Sequence, residues 1–532
     1  MGSTTATRGR EARIRLVRPA PAATSGPVAL DDDQAAVVGH ARGAGPVVVL
    51  GGPGTGKTTA LVEAVVARVD RDGVPADGVL VLAPTRTAAA VLRERVSVRL
   101  ARTVREPMAR TPHAYAFGLL RRTRVLDGDA APRLISGPEQ DQILADLLAG
   151  HEDGVVDGPV WPPSVGEQIR GLRGFRDELR DLLMRAVERG LTPLDLADLG
   201  RRHQRPDWAA AATVLSEYLD VTALATPGAY DPAGIVDAVT ALLADDPDLL
   251  AGERERWQLV AVDDAHEATA ATLRLLDVLH GEGRDLLLTG DPDAATQTFR
   301  GARPALLGAA AQRFPRHDGG PAPTVVLRTV HRHGPVLRRV ASRVAGRIGT
   351  AGVAAHRSAR PADGLPDGAA RVALLSSAAL EAAFVAQYLR RHHLEDRLPW
   401  SAMAVVVRSS RPTQALRRAL AAAGVPVAVP AAEVPVRDEP AVRPLRLALH
   451  AALDDHLPPA EVVAELLTGP VGGADAVALR RLRQAVRAGE VAAGGGRPSD
   501  DLLVEAVTSP GGLVLLDARV AAPARRVAAV LG

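Results

Sequence analysis

Val47-Val48-Val49-Leu50-Gly51-Gly52-Pro53-Gly54-Thr55-Gly56-Lys57-Thr58 is the stretch that decides how this 532-residue chain is read. Four consecutive apolar residues end at a glycine-rich turn. Beyond the turn, Leu61, Val62, Val65, Val66 and Val69 recur on one helical face. A strand, a Gly-x-x-x-x-Gly-Lys-Thr turn and a helix, in that order, make the Walker A phosphate loop. The glycines let successive backbone N–H groups turn inward around phosphate oxygens, and the helix N-terminus adds partial positive charge. The expectation is that Gly52, Pro53, Gly54, Thr55, Gly56, Lys57, Thr58 and Thr59 hold ATP. Lys57 reaches the β- and γ-phosphates, and Thr58 ligates Mg²⁺.

The same alternation continues on either side. Val79–Ala83 reads as a second buried strand, followed by a helix through Leu100. Leu259–Val262, Leu286–Thr289 and Val325–Leu327 repeat the strand pattern. Short all-apolar strands alternating with helices imply an α/β fold with a parallel sheet covered on both faces. Between them, residues 121–230 lose that rhythm and read as a helical insertion, so residues 30–120 and 231–350 are expected to form one lobe. Residues 1–29 read as a flexible tail with one short strand at Ile14–Val17. A Pro/Gly/Ala linker is expected around 351–369. A second strand–helix series follows within 367–445: Val372–Leu375, Leu380–Arg391, Ala404–Val407, Thr413–Ala423 and Val425–Val429. Residues 446–532 read as the start of another helical region.

Composition narrows the class. Lys and Arg total 64, of which Lys57 is the one lysine, and there is no Asn. A GC-rich genome explains that bias, and it makes the one retained lysine notable. Arg's planar fork fits a tight phosphate cradle poorly, whereas a compact ammonium fits well. The net charge of +2 neither demands nor excludes a nucleic-acid partner. Zero cysteines rule out disulfides, thiolate zinc sites and Cys-held iron–sulfur clusters within this sequence. With no apolar signal core and no apolar run of spanning length, a cytoplasmic protein with no membrane partner is expected.

Further motifs narrow the class again. Leu30-Asp31-Asp32-Asp33-Gln34 precedes the loop, and Ala83-Pro84-Thr85-Arg86-Thr87 and Thr111-Pro112-His113-Ala114 follow it. Asp263-Asp264-Ala265-His266-Glu267, Thr289-Gly290-Asp291-Pro292-Asp293, Thr298-Phe299-Arg300-Gly301-Ala302 and Leu327 to Arg332 complete the set. Over about residues 30–445 this set resembles the UvrD/Rep/PcrA family of superfamily 1 DNA helicases. The resemblance implies RecA-like lobes 1A and 2A, a 1B-like insertion over 121–230 and the start of a 2B-like one over 446–532. It implies that Gln34 reads the adenine edge and that Asp291 belongs to the nucleotide site. Asp263 holds Mg²⁺, Asp264 stands at the base position, and Arg332 meets the γ-phosphate. Thr85, Arg86, Thr111, His113, Phe299 and Arg300 contact single-stranded DNA, Phe299 by stacking on a base.

Several of these residues have ordinary readings too. His113 also fits a packed core histidine, and Phe299 a core aromatic. Arg170, Arg173, Arg176 and Arg180 share one arc if their stretch is a single helix. They fit either a solvated face or a phosphate-binding stripe. Trp161, Trp208, Trp257 and Trp400 read as packing.

The chain also departs from the family pattern. Asp264 replaces a glutamate and is shorter by one methylene, roughly 1.5 Å of reach. Ala294 replaces the glutamine that senses the γ-phosphate, and His331 replaces a tyrosine. The last two helicase motifs have no counterpart, so a fragment of a longer protein is expected. Altered hydrolysis motifs in an arginine-rich chain also resemble the AdnA-type subunit of the actinobacterial AdnAB helicase–nuclease, which implies a partner subunit. Two functions remain open: an ATP-driven 3′→5′ DNA translocase acting on 3′-tailed DNA in repair or recombination, and a weakly hydrolysing, DNA-gripping subunit that scaffolds an active partner.

Overall fold

Each apolar run in the first part of the chain finds its partners in a six-stranded sheet. The strands are β1 (Val47–Gly51), β2 (Val79–Leu82), β3 (Ala109–Arg110), β4 (Leu259–Val262), β5 (Leu286–Gly290) and β6 (Thr324–Leu327). Their order is β3-β2-β4-β5-β1-β6, and every pairing is parallel. The register sets Val49 beside both Thr289 and Val325, which places β1 between β5 and β6. The computed structural model describes residues 28–100, 108–126, 131–281, 283–350, 352–409, 412–428, 442–453 and 457–531. The expected strand at Ile14–Val17 lies outside the described residues.

Successive strand residues face opposite sides, which explains why the runs are apolar throughout. Val47 and Val49 join a core with Leu61, Val65, Val69, Leu92 and Val96. Val48 and Leu50 face the other way, against Tyr115, Leu119, Ile235, Leu276 and Phe314. Helices α1 (Asp32–Val38), α2 (Lys57–Asp70), α3 (Arg86–Leu100) and α4 (Pro112–Leu126) begin just beyond turns or strand ends. In α1, Asp31 and Gln34 form a reciprocal capping box.

Helices Gly137–Glu152, Arg173–Glu188, Pro193–Arg202 and Pro206–Ala225 enclose their own core around Leu144, Leu183, Leu215 and Tyr218. The arginine arc is corrected here. Gly171 and Leu172 separate helix Glu167–Arg170 from Arg173–Glu188, so the four arginines do not share one helix. Each also meets a carboxylate: Arg170 with Glu152 at 3.8 Å, Arg173 with Asp177 at 3.8 Å, Arg176 with Asp141 at 3.1 Å and Arg180 with Asp177 at 3.2 Å. An ion-paired surface accounts for them.

The chain divides into two units, Met1–Arg371 and Val372–Gly532. In the first, the expected linker around 351–369 proves partly ordered by contacts. Ala355–Ser358 forms a 3₁₀ turn, and Arg360–Pro361 pairs in parallel with Thr329–Val330. Composition suggested a loose chain because the stretch lacks periodicity, yet His356 and Arg357 pin it through polar contacts.

In the second unit, helices Ala378–Glu395 and Thr413–Ala422 match expectation. The expected strands Val372–Leu375 and Ala404–Val407 do not form, and neither does the described part of Val425–Val429. Val372, Leu374 and Val406 are 90%, 95% and 93% exposed. An apolar run has strand propensity, but a strand exists only with a partner, and these find none among the described residues. Helices Ala460–Thr468, Ala476–Ala492, Ser499–Thr508 and Ala518–Leu531 pack around Val463, Leu467, Leu482, Leu503 and Val527.

Candidate functional site

The turn after β1 is built for an anion. Gly54 and Gly56 adopt φ of 81° and 80°, a region that penalises any Cβ. A Cβ on Gly56 would also stand 2.4 Å from Gln34 Nε2. The loop is tied internally: the Thr55 hydroxyl donates to the Gly52 carbonyl at 2.8 Å, and the Lys57 ammonium donates to the same carbonyl at 3.2 Å. That carbonyl is the only hydrogen-bond partner of Lys57 among the described residues, so its charge remains available to a phosphate. Pro53 is exposed at the crown of the loop. Gln34 is 3% exposed, donates to the Thr55 carbonyl at 3.0 Å, and accepts from the Asp31 N–H at 3.2 Å. One amide hydrogen and one lone pair of its oxygen remain for a base edge. The Thr59 hydroxyl accepts from Arg95 at 3.0 Å, so it braces α2 against α3.

Asp263 follows β4 and joins the neighbouring elements. One carboxylate oxygen accepts from the Thr58 hydroxyl at 2.9 Å, the other from Thr289 at 2.8 Å. Burial, and then repulsion from Asp264, raise its pKa above the ordinary carboxylate value. A threonine hydroxyl and a buried carboxylate are hard oxygen donors, and they fit Mg²⁺. Asp264 sits at φ 48°, one of three non-glycine residues with positive φ among those described. Burial raises its pKa, Lys57 opposes that, and Glu267 and Asp291 add to it. Its carboxylate makes no hydrogen bond within the protein among the described residues.

Two further residues of this segment reach β5 and the chain beyond it. His266 Nδ1 lies 3.1 Å from the Asp291 N–H and accepts from it. Glu267 accepts from the N–H groups of Thr296 and Gln297 at 2.7 and 2.9 Å, and from the Thr296 hydroxyl at 2.8 Å. In the sequence both stand only as members of the Asp263–Glu267 motif, with no role assigned to either. Their anchoring role shows only once residues about thirty positions apart meet. Ala294 ends the 3₁₀ turn Pro292–Ala294, donates its backbone N–H to the Asp291 carbonyl at 3.0 Å, and brings no polar side-chain atom to the turn.

Phe299 is 67% exposed, which excludes the core reading, and the Arg300 guanidinium lies 5.3 Å from its ring centroid. Gly301, at φ 95°, ends this turn against the Arg185–Glu188 pair, where a Cβ would collide. The other nucleic-acid candidates stand at the carboxyl ends of β2 and β3. The Thr85 hydroxyl accepts from the Ala88 N–H at 3.1 Å, and the Thr111 hydroxyl accepts from the Ala114 N–H at 3.2 Å. Both cap helices. Arg86 and His113 are exposed, so the packed-core reading of His113 fails. Nucleotide and nucleic-acid candidates thus share the carboxyl edge of the sheet, where open α/β sheets bind ligands.

Beyond β6, His331 donates its backbone N–H to the Gly54 carbonyl at 2.8 Å, and its ring contacts Asp31 at 2.8 Å. The replacement of tyrosine thus ties this turn to the start of α1. Arg332 is exposed beside Gly54 and has no ion-pair partner among the described residues. His356 is 1% exposed and contacts Asp293 at 2.9 Å and Asp291 at 3.3 Å. Arg357 grips both oxygens of Asp293 at 2.7 and 2.6 Å. Burial alone would raise the Asp293 pKa, but Arg357 and His356 hold it below the usual range. Asp291, Asp293 and His356 offer ligand atoms within 4.8 Å of one another. The guanidinium already supplies the counter-charge there, so the cluster is an ion-pair hub.

A parallel sheet with a complete phosphate loop, and a carboxylate joined to its threonine, defines a P-loop nucleotide-binding protein. Residues 30–315 match the UvrD/REP helicase N-terminal domain. That is more than half of the sequence, and the chain belongs to this helicase family, with a RecA-like core. It is 29% identical over 328 residues to the ATP-dependent DNA helicase UvrD2 of Mycobacterium tuberculosis, covering 59% of this chain and 43% of that protein. It is 24% identical over 261 residues to DNA helicase II of Haemophilus influenzae, covering 48% of this chain and 33% of the relative. The ATP-dependent DNA helicase PcrA of Staphylococcus aureus matches at 24% with the same coverage. The matched region thus spans a third to under half of these relatives. Among the described residues, no helix is long and apolar enough to cross a membrane.

Proposed function

We propose that the chain binds ATP with Mg²⁺ and uses it to move along single-stranded DNA as a 3′→5′ helicase. One observation carries this reading: Glu267, four residues after the metal-facing Asp263, holds the segment that presents the exposed Phe299. The nucleotide site and a base-stacking platform are therefore parts of one hydrogen-bonded unit.

In this reading Lys57 and the loop N–H groups hold the triphosphate, and Arg332 closes on its terminal phosphate. Thr58 and Asp263 would hold Mg²⁺, which when bound would supply charge neutralisation for the phosphate oxygens. Asp264 orients the attacking water, and Phe299 with Arg300 grips a base. ATP turnover stimulated by single-stranded DNA, lost on Lys57→Ala, is the expected result. A turnover unchanged by Lys57→Ala would sink the reading.

A second reading rests on Ala294 and Asp264: a DNA-gripping subunit that hydrolyses slowly and supports an active helicase–nuclease partner. The structural reason is reach, since a carboxylate misplaced by one methylene activates water poorly. An Asp264→Glu chain that turns over ATP about tenfold faster would support it. An equal or slower rate would remove that support. The roles in repair or recombination, the 3′-tailed DNA substrate and the cytoplasmic setting belong to this proposal.

A further inference from the structure

The 3₁₀ turn Ala355–Ser358 lies where three nucleotide-facing elements meet. A Cβ built on Gly52 of the phosphate loop would stand 3.5 Å from the His356 carbonyl and 3.6 Å from Arg338 Nη1. Arg338 is buried in the helix that follows Arg332, and it donates to the carbonyls of Ala359, at 2.9 Å, and Arg357, at 2.5 Å. The His356 ring bridges Asp291 and Asp293, which begin the segment leading to Phe299. Two buried atoms remain unpartnered at this hub, Asp291 Oδ2 and His356 Nδ1. A buried unpartnered acceptor is costly, so a movement of the ring or the carboxylate that gives it a partner is opposed less here than at a fully satisfied site.

Ala294 brings no polar side-chain atom to report on a terminal phosphate. Beside the Glu267 link, a second route from the loop to the Phe299 segment runs through the packing of Gly52 against the His356 backbone, from the His356 ring to Asp291 and Asp293, and along the chain to Thr296 and Gln297. We propose that His356 is the positioning residue that transmits nucleotide occupancy of the phosphate loop to the Thr296–Gly301 segment, and so sets when Phe299 can grip a base. The proposal rests on the nucleotide-binding reading above. It assigns the link to a residue outside the phosphate loop, and among the described residues the polar contacts of the ring are with the two aspartates.

The test is hydrogen exchange on the full chain, with and without Mg²⁺ and a non-hydrolysable ATP analogue. In the unaltered chain the analogue should slow amide exchange both at residues 52–58 and at 296–301. His356→Ala should keep the slowing at 52–58, with analogue affinity within about threefold, and lose it at 296–301. His356→Gln, whose amide N–H can reach either aspartate, should restore part of it and guards against a folding defect in the alanine variant. Retained slowing at 296–301 in His356→Ala would overturn the proposal. Equal loss at both segments in both variants would also overturn it, because that marks a structural role. Slowing at 52–58 but not at 296–301 in the unaltered chain would overturn the link while leaving nucleotide binding intact. No slowing at 52–58 in the unaltered chain would overturn the nucleotide reading, and the link with it.

Discussion

Replacing Glu267 with alanine removes three hydrogen bonds at once from the segment that carries Phe299. They come from two backbone N–H groups and one hydroxyl, at 2.7, 2.9 and 2.8 Å. Bonds to a charged acceptor contribute about 1.5–3 kcal/mol each when buried. Glu267 is half-buried and Thr296 is exposed, so water replaces part of each bond on opening. A loss of about 2–4 kcal/mol for the group is the reasonable scale, after discounting for solvent. Local opening of residues 296–297 should then become roughly 30- to 1,000-fold more frequent. Amide exchange read by mass spectrometry measures this directly, with residues 259–262 of the sheet as an internal reference. Affinity for a single-stranded oligonucleotide should fall in parallel, since an unanchored Phe299 must be ordered on binding. Nucleotide affinity should change little, because Thr58, Asp263 and Thr289 keep their own bonds. Unchanged exchange at 296–297 would refute the anchoring argument, whatever happened to DNA binding.

Phe299→Ala should leave the melting temperature within the range of ordinary surface substitutions, about ±0.5 kcal/mol, because the ring is 67% exposed. It should weaken single-strand binding by about 1–3 kcal/mol, measured by fluorescence anisotropy; a large drop in melting temperature with unchanged binding would reverse the assignment. The raised pKa of Asp263 sets a pH dependence. The native state holds this proton more tightly than the unfolded chain, so stability of the nucleotide-free protein falls as pH rises from the unfolded value near 3.8 through the raised native one. Below that window both states are protonated and the handicap is absent. Mg²⁺ needs the ionised form, so the thermal shift produced by Mg²⁺ with a non-hydrolysable ATP analogue should shrink as pH falls toward the window. Asp263→Asn should flatten that dependence. A shift that holds constant down to the unfolded value would contradict the placement.

The parts of this molecule legible in sequence are those in which one local run contains its own reason. Val47–Leu50 is apolar throughout because alternate residues enter two cores. Gly54 and Gly56 are glycine because the loop demands positive φ there. What stayed hidden depends on partners distant in sequence. Val372–Leu375 is as apolar throughout as Val47–Leu50 but has no strand beside it among the described residues, and composition cannot supply one. Glu267 is in sequence only one member of the Asp263–Glu267 motif, yet its side chain spans to Thr296 and Gln297. His356 lay in a stretch read as linker because nothing in its spacing predicts that two aspartates about sixty residues earlier converge on it. The departures thus divide into two kinds. Asp264 and Ala294 remove a polar reach and make nothing evident in exchange. His331, and with it Glu267 and His356, which no pattern singled out, each make a contact that ties the carboxyl edge of the sheet to a neighbouring turn. If such contacts stand in for the lost ones, restoring Ala294→Gln alone should gain little, because His356 and Arg357 already occupy the aspartate beside it. That outcome would separate a chain rebuilt around its substitutions from one that has simply decayed.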